Sequence, residues 1–137
     1  MPSLAVLDWL RLARVYQKVD RASVCNLRQY GLSVAQFDIL ARVGHAEGLS
    51  QQELADALLV TKGNICQLLD RMAETGLIVR RQEGRANHLF LTPAGRALYE
   101  KVLPEQEALV ERLFGALAPA QQAELLALLR QVERGLE

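Results

Sequence analysis

Apolar residues recur at helical spacing over most of this chain, and capping signals mark where the helices begin. The pattern over residues 4–30 predicts a long first helix that ends at Gly31. A capping box formed by Ser33 and Gln36 predicts that a second helix starts there and runs to about Val43. The apolar side of this second helix consists of Phe37, Ile39, Leu40 and Val43.

Residues 50–76 predict two short helices joined by a tight turn. Ser50 and Glu53 form a capping box for the first of these helices, and Thr61 is a candidate N-cap for the second. The second helix is expected to end at Gly76, because glycine is the usual residue just after a helix. Its apolar positions recur at i, i+3, i+4 and i+7, which predicts one buried side: Ile65, Leu68, Leu69 and Met72.

A β-hairpin is predicted directly after Gly76. Residues 77–82 are rich in types that favour strands, residues 83–87 have the composition of a turn, and residues 88–91 form a second short strand. With helices before and after it, this hairpin predicts a fold that is mainly α with a small β-hairpin (α+β).

The C-terminal part predicts two more helices. Thr92 and Pro93 supply an N-cap and a proline at the first helical position, so a long helix should run from there towards Leu117. Pro104 lies within it and is expected to kink or interrupt it. A last helix starts near residue 118. The terminal helices are more apolar than a small three-helix core requires, so we expect an intersubunit interface, with packing on their own domain as the alternative.

The polar side of the helix after Thr61 predicts a nucleic-acid interface. A helix that enters the major groove places its first turns against base edges, where amides contact adenine and lysine contacts guanine or phosphate. An ordinary helical hairpin with a solvated polar side is the alternative. The candidate DNA-binding residues are Ser50, Gln51, Thr61, Lys62, Gly63, Asn64, Gln67, Arg71, Arg81 and Arg85.

The charge distribution supports one surface that faces a polyanion. The chain has 137 residues, half of them hydrophobic, and a net charge of zero, which argues against nonspecific binding of polyanions. Residues 61–96 nevertheless hold six basic and three acidic groups, whereas residues 97–137 hold four basic and seven acidic groups. We find no signal peptide and no apolar run that would span a membrane, and we expect a cytoplasmic protein.

Residues 32–95 resemble the MarR family of bacterial winged helix-turn-helix transcriptional regulators. The resemblance is carried by LSVAQFDILARVG, by LSQQELADALLVTKGNICQLLDRMAETGLIVRR and by EGRANHLFLTPAG. It implies an obligate homodimer with one winged helix per subunit. The resemblance implies that residues 1–137 form a single MarR-like domain. In this domain, the dimerisation helices are residues 1–31 and 97–137, and the DNA-binding region is residues 32–96.

The function implied by this resemblance is sequence-specific regulation of transcription. We expect a ligand-responsive repressor that binds double-stranded DNA, as a homodimer, at a palindromic operator. The alternatives are a thiol-based redox-responsive regulator and a winged-helix protein-interaction module that does not bind DNA. The helix after Thr61, which corresponds to the recognition helix of the family, has a polar outer side. This favours DNA binding over protein binding, because a protein-binding module tends to expose apolar groups there.

The hairpin, or wing, is short by comparison with the family. Only Gln82, Glu83 and Gly84 separate Arg81 from Arg85, and Gly84 stands where family wings usually carry an Asp. The resemblance implies that Arg85 enters the minor groove, where a narrow A·T-rich groove attracts arginine. It also implies that an acidic residue at the place of Asp70 pairs with this wing arginine.

A ligand cleft between the dimerisation helices and the winged region is also implied by the resemblance. A planar ring and an opposed arginine would suit a small aromatic or phenolic effector, in particular an aromatic acid. The candidate ligand-binding residues are Trp9, Arg14, Tyr16, Tyr30 and Asp38. Ordinary core and surface positions are the alternative for each of them.

No residue pattern indicates catalysis, a metal site or a cofactor. His45 and His88 lack partners at metal-ligand spacing, and catalytic motifs are absent from the sequence. Cys25 and Cys66 do not make a disulfide framework, and a reactive thiol needs a lowered pKa and access. Arg residues flank Cys25 at i−4 and i+3, yet we expect both cysteines to be small packing residues.

Overall fold

The computed structural model describes residues 1–58 and 62–137, and the side chain of Lys62 lies outside this description. The helices and strands, in chain order, are α1 (Leu4–Arg28), α2 (Val34–His45), α3 (Gln51–Leu58), α4 (Lys62–Glu74), β1 (Ile78–Glu83), β2 (Ala86–Leu91), α5 (Pro93–Leu113) and α6 (Pro119–Arg134). The predicted fold, mainly α with a small β-hairpin, is confirmed. The predicted N-cap at Thr61 lies outside the described residues.

Both predicted capping boxes are formed. The Ser33 hydroxyl accepts from the Gln36 N–H at 3.1 Å, and the Gln36 side chain accepts from the Ser33 N–H at 2.9 Å. The Ser50 hydroxyl accepts from the Glu53 N–H at 3.0 Å, and the Glu53 carboxylate accepts from the Ser50 N–H at 3.2 Å. Each box satisfies two backbone groups that a helix start leaves unpaired. Helix α2 continues to His45, two residues beyond the predicted end.

The chain forms two compact units, residues 1–106 and residues 107–137. The core of the first unit draws on the end of α1, the inner sides of α2, α3 and α4, the hairpin and α5. Its fully buried side chains include Leu27, Ile39, Leu40, Val43, Leu54, Ile65, Leu69, Met72, Ile78, Leu89 and Val102. A buried polar link joins α1 to α5, because the Gln106 amide donates to the Ser23 hydroxyl at 2.8 Å.

The hairpin is longer and its turn tighter than predicted. The two strands pair antiparallel from Ile78 with Leu91 to Glu83 with Ala86. Only Gly84 and Arg85 remain in the turn, and Gly84 has φ 63°, the left-handed conformation that two-residue hairpin turns require. Residues 83, 86 and 87, predicted as turn, are therefore strand.

A short segment before α3 adds to the hairpin. The Gly48 N–H donates to the Leu89 carbonyl at 2.8 Å, and the Leu89 N–H donates to the Leu49 carbonyl at 3.0 Å. Ser50 forms a further bridge with His88. Strand β2 thus has a hydrogen-bonded partner on each side, and the start of α3 is tied to the wing.

The two ends of the hairpin are fastened together at the start of α5. The Thr92 N–H donates to the Leu77 carbonyl at 3.1 Å, and the Thr92 hydroxyl accepts from the Gly95 N–H at 2.9 Å, which confirms the predicted cap. A Cβ at Gly95 would lie 2.0 Å from the Leu77 carbonyl oxygen. Only glycine allows α5 to approach the hairpin base this closely.

Helix α5 passes through Pro104 without interruption and ends at Leu113, so the predicted interruption and the end near Leu117 are wrong. A proline in a helix leaves the carbonyl four residues earlier without its backbone donor. That residue, Glu100, is exposed, as is Pro104. Among the described residues, no helix is long and apolar enough to cross a membrane.

The first turns of α1, in the first unit, and helix α6, in the second, present apolar side chains to solvent. Helix α6 has no buried residue along its whole length. The exposed apolar residues of the two helices include Leu4, Leu7, Trp9, Leu10, Leu126, Leu128, Leu129 and Val132.

Candidate nucleic-acid interface

Helix α4 has one apolar and one polar side, as the sequence predicts. Ile65, Leu69 and Met72 are fully buried on its inner side. The outer side is exposed and carries four of the candidate DNA-binding residues: Gly63, Asn64, Gln67 and Arg71. A Cβ placed at Gly63 would meet nothing within 4 Å, so no packing constraint inside the protein requires glycine there. Thr61 and the side chain of Lys62 are outside the described residues.

The structure separates the two candidates at the start of α3. Ser50 is partly exposed and uses its hydroxyl to cap the helix. Gln51 is only 7% exposed, and its amide donates to the Cys66 thiol at 3.5 Å. The first residue of α3 thus turns towards α4, and only a small part of the Gln51 side chain is accessible for the expected contact with DNA. Its neighbour Gln52 is exposed instead.

An ion pair fastens the wing to α4. The Arg80 guanidinium lies 2.7 Å from the Asp70 carboxylate and donates to the Cys66 carbonyl at 3.3 Å. The implied pairing of Asp70 with Arg85 is thus corrected, since Asp70 pairs with Arg80. Side chains alternate along a strand, so Arg80 shares the inward side of β1 with buried Ile78, whereas Arg85 lies at the tip. The alternation of side chains along β1 is therefore the sequence signal that could have identified Arg80, rather than Arg85, as the partner of Asp70.

Arg81 and Arg85 are exposed on the wing. The Arg81 guanidinium lies over the Phe90 ring, 4.7 Å from its centroid, which restrains the side chain. Arg85 occupies the second position of the hairpin turn, as predicted. It lines a small cleft of about 150 Å³ between the wing tip and the start of α3, together with Ser50, Gln51, Gln52, Ala86 and Asn87. Sequence reasoning did not select Gln52 or Asn87.

The five ligand-binding candidates are divided among different places. Tyr16 and Asp38 line one cleft of about 370 Å³ in the first unit. Trp9 and Arg14 are exposed on α1 and do not line this cleft. Trp9 precedes Tyr16 by seven residues, about 10 Å along the helix axis. Tyr30 lies beyond the end of α1, where its hydroxyl donates to Glu105, and this hydrogen bond raises the pKa of Tyr30.

The cleft that holds Tyr16 and Asp38, which we call the α1–α4 cleft, touches four helices. Its other lining residues are Asp20, Val34, Ala35, Leu58, Ile65 and Leu68. The pKa of Asp38 is raised above its usual value mainly by the protein around the carboxyl, which removes water from it. Arg42 opposes this rise, and the Asp20 carboxylate adds to it.

The cysteines and histidines occupy separate surroundings. Cys25 is exposed, so the expectation that it is a packing residue is wrong, whereas Cys66 is partly buried; both are free thiols. The His88 ring nitrogen Nδ1 lies 2.8 Å from the Gly48 carbonyl oxygen, so this histidine joins the segment before α3 to the wing. Within residues 1–58 and 62–137, we find no group of three His, Cys, Asp or Glu residues that would hold a metal ion.

Comparison with known proteins identifies the family. A model described as MarR family matches residues 30–86. An uncharacterized HTH-type transcriptional regulator of Bacillus cereus is 35% identical over 124 residues, which cover 90% of this chain and 84% of that protein. This chain belongs to the MarR family. Helix α4 is therefore its recognition helix, and the hairpin is the wing of a winged helix-turn-helix.

Solved MarR-family structures agree with this fold along almost the whole chain. AbsC, a MarR family transcriptional regulator from Streptomyces coelicolor, superimposes with a TM-score of 0.90 at 25% identity, covering 99% of this chain and 96% of its own. CouR from Rhodococcus jostii, bound to p-coumaroyl-CoA, gives a TM-score of 0.85 at 25% identity and covers 96% and 95%. The matched proteins are transcriptional regulators rather than enzymes, which suggests that this MarR-family protein is not an enzyme.

Proposed function

We propose that this protein binds a specific palindromic operator as a homodimer and represses transcription until a small ligand releases it. The observation that carries the proposal is the exposed polar side of α4, next to a wing that the Arg80–Asp70 ion pair joins to the same helix. A recognition helix and a wing held at a fixed separation suit adjacent grooves of one DNA duplex.

The residues of α4 and the wing have different roles in this proposal. Asn64 and Gln67 contact base edges in the major groove, and Lys62 contacts base or phosphate. Arg71 and Arg81 neutralise phosphates nearby. Arg85 contacts the minor groove, because it is exposed at the tip of a separate element.

Dimerisation is supported by the exposed apolar side chains of α1 and α6, such as Leu7, Leu10 and Leu128. Several large apolar side chains exposed along one helix, as in each of these two helices, indicate an interaction site. A two-fold dimer explains a palindromic operator, since its half-sites follow the symmetry of the protein. Sedimentation at micromolar concentration should give twice the chain mass, and a monomer that binds DNA fully would contradict this part.

Control by a ligand is supported by the α1–α4 cleft, whose lining includes Ile65 and Leu68 of the recognition helix. A molecule bound there contacts the side of α4 opposite to the one proposed to meet DNA. The structural relative CouR was solved with p-coumaroyl-CoA bound, so a chain of this fold accommodates a small organic ligand.

The test begins with selection of operator DNA from random sequences by the purified protein. Gln67→Ala should then cost roughly 1–3 kcal/mol on the selected operator and relax the preference at one or two base pairs. If Lys62 contacts a phosphate, Lys62→Ala should weaken binding to all sequences alike. It should also lower the slope of the logarithm of the binding constant against the logarithm of the salt concentration by about one. Arg85→Ala should weaken binding most on operators with A·T-rich flanks.

Arg112→Ala serves as the matched control for Arg85→Ala, because Arg112 is an exposed arginine outside the DNA-binding region. It should leave operator affinity unchanged. Failure to enrich any sequence would overturn the proposal. Full affinity and specificity in Gln67→Ala would remove the assigned role of α4, and flank-independent wild-type affinity in Arg85→Ala would remove that of the wing.

A further inference from the structure

The α1–α4 cleft combines an apolar floor with two carboxylates. Ile65 is fully buried in it, and Leu58 and Leu68 are partly buried beside it. Asp20 and Asp38 face the same space from α1 and α2. The volume of about 370 Å³ lies within the range of small-molecule sites.

The two carboxylates have no counter-ion among the described side chains. The described ion pairs join Arg80 to Asp70, His88 to Glu83 and Arg96 to Glu47, so neither Asp20 nor Asp38 takes part in one. No described hydrogen bond involves either carboxylate. The Asp20 charge contributes to the raised pKa of Asp38.

Among the described side chains, no arginine or lysine lines the cleft. Arg42 follows Asp38 by one helical turn, and its charge lowers the pKa of Asp38 without forming a described ion pair with it. Arg21 lines a neighbouring shallow hollow with Tyr16 and Asp20, without an ion pair to Asp20. Arg14, expected to oppose an aromatic acid, does not line the cleft. An anionic ligand would therefore meet two carboxylates, one partly buried and one exposed, and no lysine or arginine among the residues that line the cleft, which is unfavourable.

We propose that the α1–α4 cleft binds a small aromatic amine as its ammonium ion. The ammonium group lies between the carboxylates of Asp20 and Asp38, and the ring packs against Leu58, Ile65 and Leu68. The Tyr16 ring, at the mouth of the cleft, offers an additional cation–π contact. This inference rests on the proposed function, because it names the chemical class of the controlling ligand.

The proposed ligand contrasts with that of the structural relative CouR. An acyl-CoA such as p-coumaroyl-CoA carries phosphates, and such an anion has no cationic partner among the residues lining the α1–α4 cleft. The two chains thus share a fold while the charge of this cleft demands a ligand of opposite sign. Fold alone does not set ligand class, whereas the charged groups in the site do.

The experiment compares two probes that share a ring system and differ in the sign of their charge, tryptamine and indole-3-propionate. Isothermal titration calorimetry on the full chain without DNA should show binding of tryptamine and at least tenfold weaker binding of indole-3-propionate. Asp20→Asn and Asp38→Asn should each weaken tryptamine binding roughly tenfold, as expected when one partner of a charge pair is lost. The double variant should lose the preference between the probes.

Glu100→Gln is the matched control, because it removes one negative charge from an exposed position on α5 away from the cleft. It should bind tryptamine like the wild type, which excludes a general effect of net charge. Thermal unfolding of every variant checks that the fold persists. Equal or tighter binding of indole-3-propionate, unchanged tryptamine binding in the double variant, or no binding of tryptamine would each overturn the inference.

A separate measurement distinguishes this inference from the proposed function. Operator binding is followed by fluorescence anisotropy with and without tryptamine. Tryptamine that binds through Asp20 and Asp38 but leaves operator affinity unchanged would uphold the cationic site and refute ligand control. Operator binding that persists while tryptamine fails to bind would refute the cationic site and leave the DNA-binding proposal standing.

Discussion

The ion pair between Asp70 and Arg80 offers the sharpest test of how the wing is attached to the recognition helix. The perturbation is a double-mutant cycle with Asp70→Ala, Arg80→Ala and the double variant. A second cycle combines Asp70→Ala with Arg85→Ala, because Arg85 is the partner of Asp70 that the family resemblance implies. Since Asp70 lies 2.7 Å from Arg80 and Arg85 is at the wing tip, only the first cycle should show coupling.

The expected magnitude follows from the exposure of the two side chains. Asp70 is 62% exposed and Arg80 is 25% exposed, so solvent screens the pair substantially. Exposed pairs contribute about 0.2–1 kcal/mol, and we expect a coupling near the upper end because Arg80 is mostly buried. Arg80→Ala alone should lower the free energy of unfolding more than Asp70→Ala does, because it also removes the hydrogen bond from Arg80 to the Cys66 carbonyl.

The assay is urea unfolding of the four proteins in each cycle at pH 7, with the coupling free energy taken from the midpoints. Repetition in high salt should reduce the coupling, since a partly exposed pair is screened. A coupling near zero for Asp70 with Arg80, together with a measurable coupling for Asp70 with Arg85, would refute the assignment of the ion pair.

Three further predictions concern packing, pH and the thiols. Gly95→Ala should destabilise the fold by more than about 2 kcal/mol in urea unfolding, because the new Cβ would overlap a backbone carbonyl, whereas Gly63→Ala, in open space, should not destabilise it. Asp38→Asn should raise Tm at pH 7 and leave Tm unchanged near pH 3. The pKa of Asp38 is raised in the folded state, so folding favours the protonated carboxyl. The protonated carboxyl stabilises the fold at low pH, and this stabilisation is lost as pH rises through the folded-state pKa, whereas asparagine stays neutral at every pH. An unchanged Tm at pH 7 would contradict that sign. Cys25→Ser and Cys66→Ser should leave any response of operator binding to peroxide unchanged, and an oxidative loss of binding that either substitution abolishes would favour the redox alternative.

The structural features that depend only on residues close to each other in the chain were predictable from the sequence. The capping boxes at Ser33 and Ser50 join residues three positions apart, and the cap at Thr92 does the same. The buried side of α4 follows from its period, because residues such as Ile65 and Met72 return to the same side of a helix.

Features that depend on packing between elements were not predictable from the pattern alone. The burial of Gln51 depends on how α3 lies against α4. The short hairpin turn depends on the register of β1 with β2, and composition marks a turn without giving its length. The candidate ligand residues Trp9 and Tyr16 are both aromatic residues of α1, yet only Tyr16 lines the α1–α4 cleft.

The closure of the hairpin at its base has a consequence for how such regulators diversify. Because Thr92 joins Leu77 at the base of the wing and caps α5, the chain enters and leaves the wing at one point. Residues inserted at the tip, between Gly84 and Arg85, lengthen the reach of the wing without displacing α4 or α5. Wing length is thus free to vary while the position of the recognition helix stays the same.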